Sequence, residues 1–260
     1  MTDCKKISLC KTNKNMISIR KDIQFHLSRE KYAMVQGDEF CIDPVLDTPR
    51  QAFLSDWQSL PADEYLQDGD CFRFRRFTLF NFLPRTGELR AVPSASYFQS
   101  QKHNRYAGGV ARRFAPFLDE SLENPFLDHL IRCDFSQLPV EDNTLDHPWL
   151  VDVHQVRIRA TLHEEGKPTP EGVHHDGEEF VCIHLVDRKN VGGGVSTVYD
   201  NQSYPLFDCG LKEPMDTMIL WDPHVMHAVS PITPVCHTAE ATRDVLLIGF
   251  DPSPDLRPPT

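Results

Sequence analysis

The chain has 260 residues, of which 40% are hydrophobic and 25% are charged, a composition that is typical of a globular domain and argues against a disordered chain. The 27 basic and 38 acidic residues give a net charge of -11, and because an acidic surface repels phosphate backbones, nucleic acid is not an expected partner. None of the eight cysteines forms a C-x-x-C pair, so we expect reduced thiols rather than a disulfide framework or a zinc ribbon.

The first residues of the chain, 1–20, are polar and aperiodic, and we expect them to form a flexible N-terminal arm. They contain early lysines but no apolar segment followed by a cleavage signal, so a secretory signal peptide is not indicated. Further along, the longest apolar stretches, at 181–186 and 245–250, have the length of β-strands rather than of membrane-spanning helices. We therefore expect a cytoplasmic protein without a membrane partner, and the oligomeric state stays open.

Helix signals concentrate in the first half of the chain. Thr48-Pro49 and Asn124-Pro125 each place a capping side chain before a proline at the first helical position, as helix starts often do. A third helix is predicted between Gly108 and Leu118, where apolar residues recur at helical spacing. The short basic runs at 73–76 and 112–113 are interpreted as solvated faces or internal ion pairs rather than as binding patches.

Short strands follow from about residue 150 onward, with one earlier alternating run at 72–82. Their segments are rich in β-branched and aromatic residues and lie at 151–158, 180–186, 195–199, 217–221 and 245–250. This pattern predicts a mainly β protein with flanking helices (α+β), built as a sandwich or barrel with the helices on its outer face. We expect one domain over residues 21–251, with its β-rich core mainly at 150–251, and a proline-rich tail at 252–260.

The strongest local motif is His174-His175-Asp176-Gly177. Two histidines and one carboxylate form the facial triad that binds non-haem Fe(II) and leaves coordination positions open for reactants. Because side chains alternate along an extended strand, His174 and Asp176 point the same way and His175 points to the opposite side. The motif therefore predicts His174 and Asp176 as metal ligands. The alternative is a solvated polar turn ahead of the strand at 180–186.

The third metal ligand has to come from a distant strand. The apolar strand at 217–221 leads into a segment with two candidates, His224 and His227. His227 lies between apolar neighbours at the start of a second β-rich run, where a ligand would be held rigidly, whereas His224 follows Pro223 in a turn. We predict His227 as the ligand, with a satisfied core or surface histidine as the alternative.

A candidate for binding an organic acid is Arg243, directly ahead of the apolar strand at 245–250. If the predicted Fe(II) site belongs to an oxygenase that uses an organic acid as co-substrate, the far carboxylate of that acid needs a cation. A guanidinium group binds a carboxylate in bidentate fashion, which a lysine cannot do. The alternative for Arg243 is an ion pair with its neighbour Asp244.

Taken together, these motifs resemble the 2-oxoglutarate/Fe(II)-dependent dioxygenase family of free amino acid hydroxylases, the isoleucine 4-hydroxylase group. The resemblance covers roughly residues 40–251 and depends on the order and number of matching segments. Those around the metal motif and the arginine are 171–177, 180–185, 190–193, 226–232 and 243–246. Those nearer the N-terminus are 73–77, 97–100, 108–114 and 153–157. His224 departs from the pattern, since an arginine or another polar residue is expected there.

The resemblance implies a double-stranded β-helix, a jelly-roll of the cupin-like kind, as the core. It carries His174, Asp176 and His227 over as ligands of Fe(II). It carries Arg243 over as the residue that binds the distal carboxylate of 2-oxoglutarate. O2 is then the second co-substrate, and ascorbate is the reductant expected to support the reaction in vitro.

The function that the resemblance implies is hydroxylation of an unactivated C–H bond of a free L-amino acid or a close derivative, with release of succinate and CO2. The partner is then a small molecule. Four polar residues on segments that could line the mouth of the barrel are expected to contact it: Gln155, Arg157, Glu178 and Arg76. Two alternatives stay open. One is another cupin-type metalloenzyme, an isomerase or hydrolase, which needs neither Arg243 nor 2-oxoglutarate; the other is a non-catalytic binding protein that retains the fold.

Overall fold

The computed structural model describes residues 15–66, 70–93, 96–99, 106 and 108–252. In chain order the strands are β1 (Ile17–Ile19), β2 (Tyr32–Val35), β3 (Phe40–Ile42), β4 (Arg73–Leu83), β5 (Glu88–Val92), β6 (Trp149–Ala160), β7 (Phe180–Lys189), β8 (Val191–Gly193), β9 (Ser196–Tyr199), β10 (Pro205–Cys209), β11 (Thr217–Trp221), β12 (Met226–Val229), β13 (Ile232–Pro234) and β14 (Ala241–Pro252). The α-helices are α1 (Ile23–Glu30), α2 (Asp47–Leu54), α3 (Asp119–Leu122) and α4 (Pro125–Phe135).

Two antiparallel sheets face each other and form a jelly-roll core. The larger sheet has the strand order β2-β11-β7-β14-β6-β4-β5, and the smaller sheet has the order β10-β9-β12. Two short pairs, β1-β3 and β13-β8, stand beside them. The predicted architecture, mainly β with flanking helices, is confirmed, and each strand predicted from the sequence is present.

A hydrophobic core covers each face of the larger sheet. Val151 and Val153 of β6 pack into the core beneath the helices. Val156 and Ile158 of the same strand belong to the second core, which also contains Val198 of the smaller sheet. Because the side chains of a strand alternate between faces, even-numbered residues of β6 face the space between the sheets. That inner face carries the candidate site.

The two helices predicted from proline-containing start signals are confirmed, with one difference at a cap. The side chain of Asn124 accepts a hydrogen bond from the backbone N–H of Phe126, and Pro125 occupies the first turn of α4. Helix α2 begins one residue before Thr48, at Asp47, and has no side-chain cap. A 3-10 turn capped by Asp43 runs directly into α2, so the capping side chain lies further upstream than the sequence signal indicates.

The prediction of a helix between Gly108 and Leu118 is wrong. Arg112 forms an isolated antiparallel bridge with Tyr97, in which the two N–H···O distances are 2.9 and 2.8 Å. Ala115 forms a parallel bridge with Arg76 of β4. These backbone groups are therefore bonded to other segments and are not available for a helix. The regularly spaced apolar residues belong instead to an extended segment that packs along β4.

The ends of the chain differ from the predicted arm and tail where the structure describes them. Ile17–Ile19 lies within the segment expected to be an arm, yet it forms β1 and pairs with β3. The reason is burial, since the side chain of Ile17 is enclosed in the helix-side core. Residues 1–14 and 253–260 lie outside the described residues. Among the helices of the described chain, none has the length and apolar character needed to traverse a bilayer.

Candidate active site

A cavity opens between the two sheets. Its polar part contains carboxylate, imidazole and guanidinium groups. Its apolar part is formed by the inner faces of β6, β7 and β14, through Val156, Ile158, Val181, Ile183, Val245 and Leu247. A cavity with apolar walls and a few converging polar groups is the usual form of a small-molecule site.

A backbone bridge brings the two predicted histidines together. His174 and His227 are direct antiparallel partners, with N–H···O distances of 3.1 and 3.0 Å. Directly opposed residues project side chains to the same face, and the two imidazole centroids are 4.5 Å apart. Asp176 follows two residues after His174 and points to the same side. The pairing of a loop with β12 thus assembles groups that are distant in the chain.

The donor atoms of the three side chains converge. One ligand atom from each of His174, Asp176 and His227 lies within 4.8 Å of the other two. Nε2 of His174 is 3.3 Å from Oδ1 of Asp176, and Nε2 of His227 is 3.6 Å from Oδ2 of Asp176. Within the described chain, Oδ2 of Asp176 is buried without a hydrogen-bond partner. Two imidazoles and a carboxylate with an unsatisfied oxygen fit a divalent ion such as Fe(II).

Hydrogen bonds orient the imidazoles of the HHDG motif. Nδ1 of His174 lies 2.9 Å from the carbonyl oxygen of Gly172; because a carbonyl only accepts, Nδ1 carries the proton and Nε2 is left for a metal. Nδ1 of His175 faces the carbonyl oxygen of Asp222 at 2.6 Å. His175 therefore points away from the three converging side chains, as the alternation along the strand predicts.

The charges of the three side chains are strongly coupled. Burial disfavours a charged His174, but the hydrogen bond and negative charge of Asp176 outweigh burial and raise the pKa of His174 to about 9. Burial lowers the pKa of His227 to about 4, although Asp176 acts in the opposite direction. Burial alone would raise the pKa of Asp176, but the two imidazoles hold it well below its usual range. His227 is therefore neutral, and a bound cation would replace the proton of His174.

Asp222 fixes the backbone of the metal motif. Its Oδ1 accepts a hydrogen bond from the N–H of Asp176 at 3.0 Å, and its Oδ2 accepts one from the N–H of Gly177 at 2.8 Å. Gly177 has a φ of 94°, which a side chain would disfavour. The carboxylate of Asp222, itself buried, thus holds the turn that aims Asp176. Sequence reasoning missed this residue, whose only signal was its place between an apolar strand and Pro223.

Replacing Asp222 with asparagine is expected to weaken metal binding by about 10- to 100-fold, as is typical for outer partners of metal ligands. The amide would present an NH2 group to one of two backbone donors and leave it unpaired. Titration calorimetry with Mn(II) measures the effect. The matched control is Asp208→Asn on the exposed strand β10, which should keep the wild-type affinity. Equal metal affinities for the two variants would contradict the role given to Asp222.

Arg243 projects into the cavity from β14 and has no carboxylate partner in the described part of the chain. Its side chain is 2% exposed, and its Nε and Nη2 atoms have no hydrogen-bond partner among the described residues. Burial, followed by the nearby charge of Arg188, lowers the pKa of Arg243 to about 10. The carboxylate of Asp244 is bound instead by Arg157, at 2.8 and 2.7 Å. Neighbouring residues of a strand face opposite sides, so the alternative of an Arg243–Asp244 ion pair is wrong.

Of the four predicted substrate contacts, only Glu178 lines the cavity. Gln155 donates to Asp56 at 2.8 Å, and Arg76 donates to the carbonyl oxygen of Pro116 at 2.9 Å. Arg76 and Gln155 are direct partners in the pairing of β4 with β6, so they share one face of the sheet. That face lies against the helices, and Arg157 lies on the same face. The prediction that Gln155, Arg157 and Arg76 reach the cavity is therefore wrong.

His224, the rejected candidate for the third ligand, is exposed in the turn after β11. Its ring packs edge-on against Trp221, with centroids 4.7 Å apart. Sequence reasoning also missed residues that do line the cavity: Arg73, Arg75, Tyr97, Gln99, Arg112 and His154. The two basic runs are predicted to be solvated faces or internal ion pairs; Arg73 and Arg75 do form ion pairs with Asp63, but Arg73, Arg75 and Arg112 also line the cavity.

Comparisons of the sequence with known proteins identify one family of enzymes. The sequence model of the 2OG-Fe dioxygenase family matches residues 55–249. L-isoleucine-4-hydroxylase of Bacillus thuringiensis is 31% identical over 198 residues, which are 75% of this chain and 80% of that protein. 3(1)-hydroxy-L-isoleucine 4-dioxygenase of Pantoea ananatis is 25% identical over 242 residues, 86% of this chain and 93% of that protein.

Solved structures show the same fold. A bsmA homologue from Methylobium petroleophilum PM1 superposes with a TM-score of 0.77 at 26% identity, over 89% of this chain and 92% of the other. IDO from Bacillus thuringiensis superposes with a TM-score of 0.74 at 24% identity, over 88% of this chain and 97% of the other. The second likeness concerns the fold alone.

Proposed function

Because this chain belongs to the 2OG-Fe dioxygenase family, we propose that it hydroxylates an unactivated C–H bond of a free L-amino acid or a close derivative, consuming 2-oxoglutarate and O2 and releasing succinate and CO2. The observation that carries the proposal is one cavity that contains both the converging side chains of His174, Asp176 and His227 and the guanidinium of Arg243, whose Nε and Nη2 have no partner among the described residues. The substrate class is supported by two relatives whose names specify isoleucine or hydroxy-isoleucine.

In this proposal His174, Asp176 and His227 hold Fe(II), and Arg243 binds the distal carboxylate of 2-oxoglutarate. When bound, the iron and 2-oxoglutarate supply the oxidising chemistry, and the chain supplies position and shielding. Arg243 fits its role because its fork can donate two hydrogen bonds to one carboxylate. Arg188 is not available for that role, because its Nη2 donates to the carbonyl oxygens of Val191 and Gly193 at 3.0 and 2.7 Å.

The apolar walls of the cavity have a second part in the proposal. Val245 and Leu247 follow Arg243 on the inner face of β14, and Ile183 faces them from β7. These side chains exclude water from the space next to the metal ligands, which protects a reactive site from side reactions. Glu178 remains a proposed contact for the substrate, since it is the one earlier candidate that lines this space.

A cytoplasmic location is part of the same proposal. It is supported by the thiols of Cys41, Cys133, Cys182, Cys209 and Cys236, none of which forms a disulfide. In exported proteins such thiols are commonly oxidised to disulfides, whereas the reducing cytosol keeps them as thiols.

The experiment that tests the function is a substrate screen. The protein is incubated in air with Fe(II), ascorbate, 2-oxoglutarate and pooled L-amino acids, and the products are analysed by mass spectrometry. We expect one amino acid to gain the mass of one oxygen atom, with succinate formed in equal amount. Parallel anaerobic incubations should give neither product. Conversion of a substrate without O2 would instead support a cupin-type isomerase or hydrolase, and would overturn the proposal.

A further inference from the structure

A group of three buried arginines, here called the arginine cluster, lies at the end of the cavity formed by β4. Arg73 and Arg75 project from the inner face of β4, and Arg112 projects from the segment that pairs with Tyr97. Arg75 is 8% exposed and Arg112 is 1% exposed. Buried guanidinium groups are costly unless an anion compensates them.

The described residues supply too few anions for the arginine cluster. Oδ2 of Asp63 lies 2.7 Å from Nε of Arg73 and 3.7 Å from Nη1 of Arg75. Within the described residues, Arg112 forms no ion pair, and the Nε atoms of Arg75 and Arg112 lack a hydrogen-bond partner. The negative charge of Glu171 attracts the guanidinium of Arg112. The ion-pair contact of Glu171, however, is with Nε2 of His174, at 3.4 Å. At least one guanidinium of the cluster therefore has spare donors and no carboxylate partner in the part of the chain that the structure describes.

The spare donors are held in fixed positions. Cζ of Arg75 lies 3.9 Å from the centroid of the Phe114 ring, and Cζ of Arg112 lies 5.0 Å from that of Tyr97. Packing against an aromatic face fixes a guanidinium plane and leaves its edges free to donate. Nη2 of Arg75 also meets Nδ1 of His154 at 2.6 Å. Burial, followed by the charge of Arg75, lowers the pKa of His154 to about 4, so this imidazole is neutral and can accept.

The arginine cluster is connected to the metal motif but separate from Arg243. Nη2 of Arg112 donates to Oε1 of Gln99 at 2.7 Å, and Nε2 of Gln99 donates to the carbonyl oxygen of Asp176 at 2.9 Å. Arg243 and Arg73 flank Ile158 in register on either side of β6, which separates their backbones by about 10 Å, twice the spacing of strands. The cavity thus presents two cationic positions, suited to two different carboxylates.

We propose that Arg75 and Arg112 bind the free carboxylate of the substrate, so that the enzyme acts on amino acids and not on esters, amides or residues within a peptide. This inference rests on the proposed function and narrows its substrate class. Arg243 accounts for the co-substrate, which leaves the second cationic position for the substrate. Asp152 and Glu178 line the same cavity, and their carboxyl oxygens can accept hydrogen bonds from an ammonium group.

The test compares an acid with its neutral, nearly isosteric amide. Anaerobic protein loaded with redox-inactive Mn(II) and 2-oxoglutarate is titrated by calorimetry with L-isoleucine and with L-isoleucinamide; if the screen identifies another amino acid, that acid and its amide are used. The variants are Arg112→Gln, Arg75→Gln and Arg112→Lys. The matched control is Arg76→Gln, which removes a guanidinium from the opposite face of β4.

We expect the wild type to bind the acid more tightly than the amide by about 10- to 100-fold, the range for charge-assisted hydrogen bonds. Arg112→Gln and Arg75→Gln should weaken binding of the acid by a similar factor and change binding of the amide little. Arg112→Lys, which keeps the charge without the fork, should give an intermediate preference. Arg76→Gln should retain the full preference, and 2-oxoglutarate affinity should be unchanged throughout, which also verifies folding.

Two results would overturn the inference while leaving the proposed function intact. One is an unchanged preference for the acid in both glutamine variants. The other is a loss of 2-oxoglutarate affinity in those variants, which would assign the arginine cluster to the co-substrate. Failure of the proposed function is a different result, namely that no amino acid is hydroxylated in the aerobic screen.

Discussion

His227→Ala should abolish metal binding and 2-oxoglutarate turnover, whereas His224→Ala should leave both near wild-type levels. This outcome is expected because Nε2 of His227 is buried 3.6 Å from Oδ2 of Asp176, while His224 is exposed in a turn. Loss of one of three ligands removes more affinity than the roughly 10- to 100-fold lost with an outer partner. Titration with Mn(II) and the rate of succinate formation measure the two effects.

The pair His174→Ala and His175→Ala gives the same contrast within one motif. His174 contributes to the converging donors, and His175 points to the carbonyl oxygen of Asp222. His175→Ala should therefore retain metal binding, with a modest loss from the missing hydrogen bond. Wild-type turnover in His227→Ala, or equal losses in the two variants of the HHDG motif, would remove the basis for the metal site.

Local rules were sufficient to predict which side chains converge at the proposed metal site. Alternation along an extended segment selected His174 and Asp176 over His175, and the apolar neighbours of His227 indicated a rigid strand. The cross-strand bridge between His174 and His227 was not predictable from periodicity, because it depends on how a loop meets β12. Asp222 was missed for a related reason, since its two hydrogen bonds reach back across 46 and 45 residues.

The predictions that Gln155, Arg157 and Arg76 reach the cavity failed because both faces of the larger sheet are covered. On a sheet with one wet face, polar residues mark the outside. Here β6 places Gln155 beneath the helices, paired with Asp56, and His154 in the cavity. Polarity thus occurs on both faces, and the choice of the inner face depends on tertiary packing. Knowing that Val156 and Ile158 face the smaller sheet would have excluded Gln155 and pointed to Arg75, the partner of Val156 in β4.

Arg243→Gln should raise the dissociation constant for 2-oxoglutarate by about 30-fold or more. Truncating one partner of a buried charge pair costs about 2–5 kcal/mol, and every tenfold change corresponds to about 1.4 kcal/mol. Arg243 is fully enclosed, and the described residues offer no partner to its Nε and Nη2, so a bound carboxylate would depend on it strongly. Anaerobic calorimetry with Mn(II)-loaded protein measures the constant directly.

Two further variants separate the geometry of Arg243 from its charge. Arg243→Lys keeps a cation but cannot donate in bidentate fashion, so its affinity for 2-oxoglutarate should fall between those of the wild type and Arg243→Gln. Arg76→Gln on the helix side of the sheet should bind 2-oxoglutarate as the wild type does. Metal affinity in the absence of 2-oxoglutarate should be equal in all four proteins, because Arg243 contacts the co-substrate and not the metal ligands.

A dissociation constant for Arg243→Gln within about threefold of the wild type, less than one kcal/mol, would show that the distal carboxylate of 2-oxoglutarate binds elsewhere. With Arg188 engaged by backbone carbonyls, the arginine cluster would then be the remaining cationic position among the described residues that line the cavity, and the assignment of the two carboxylates would be reversed.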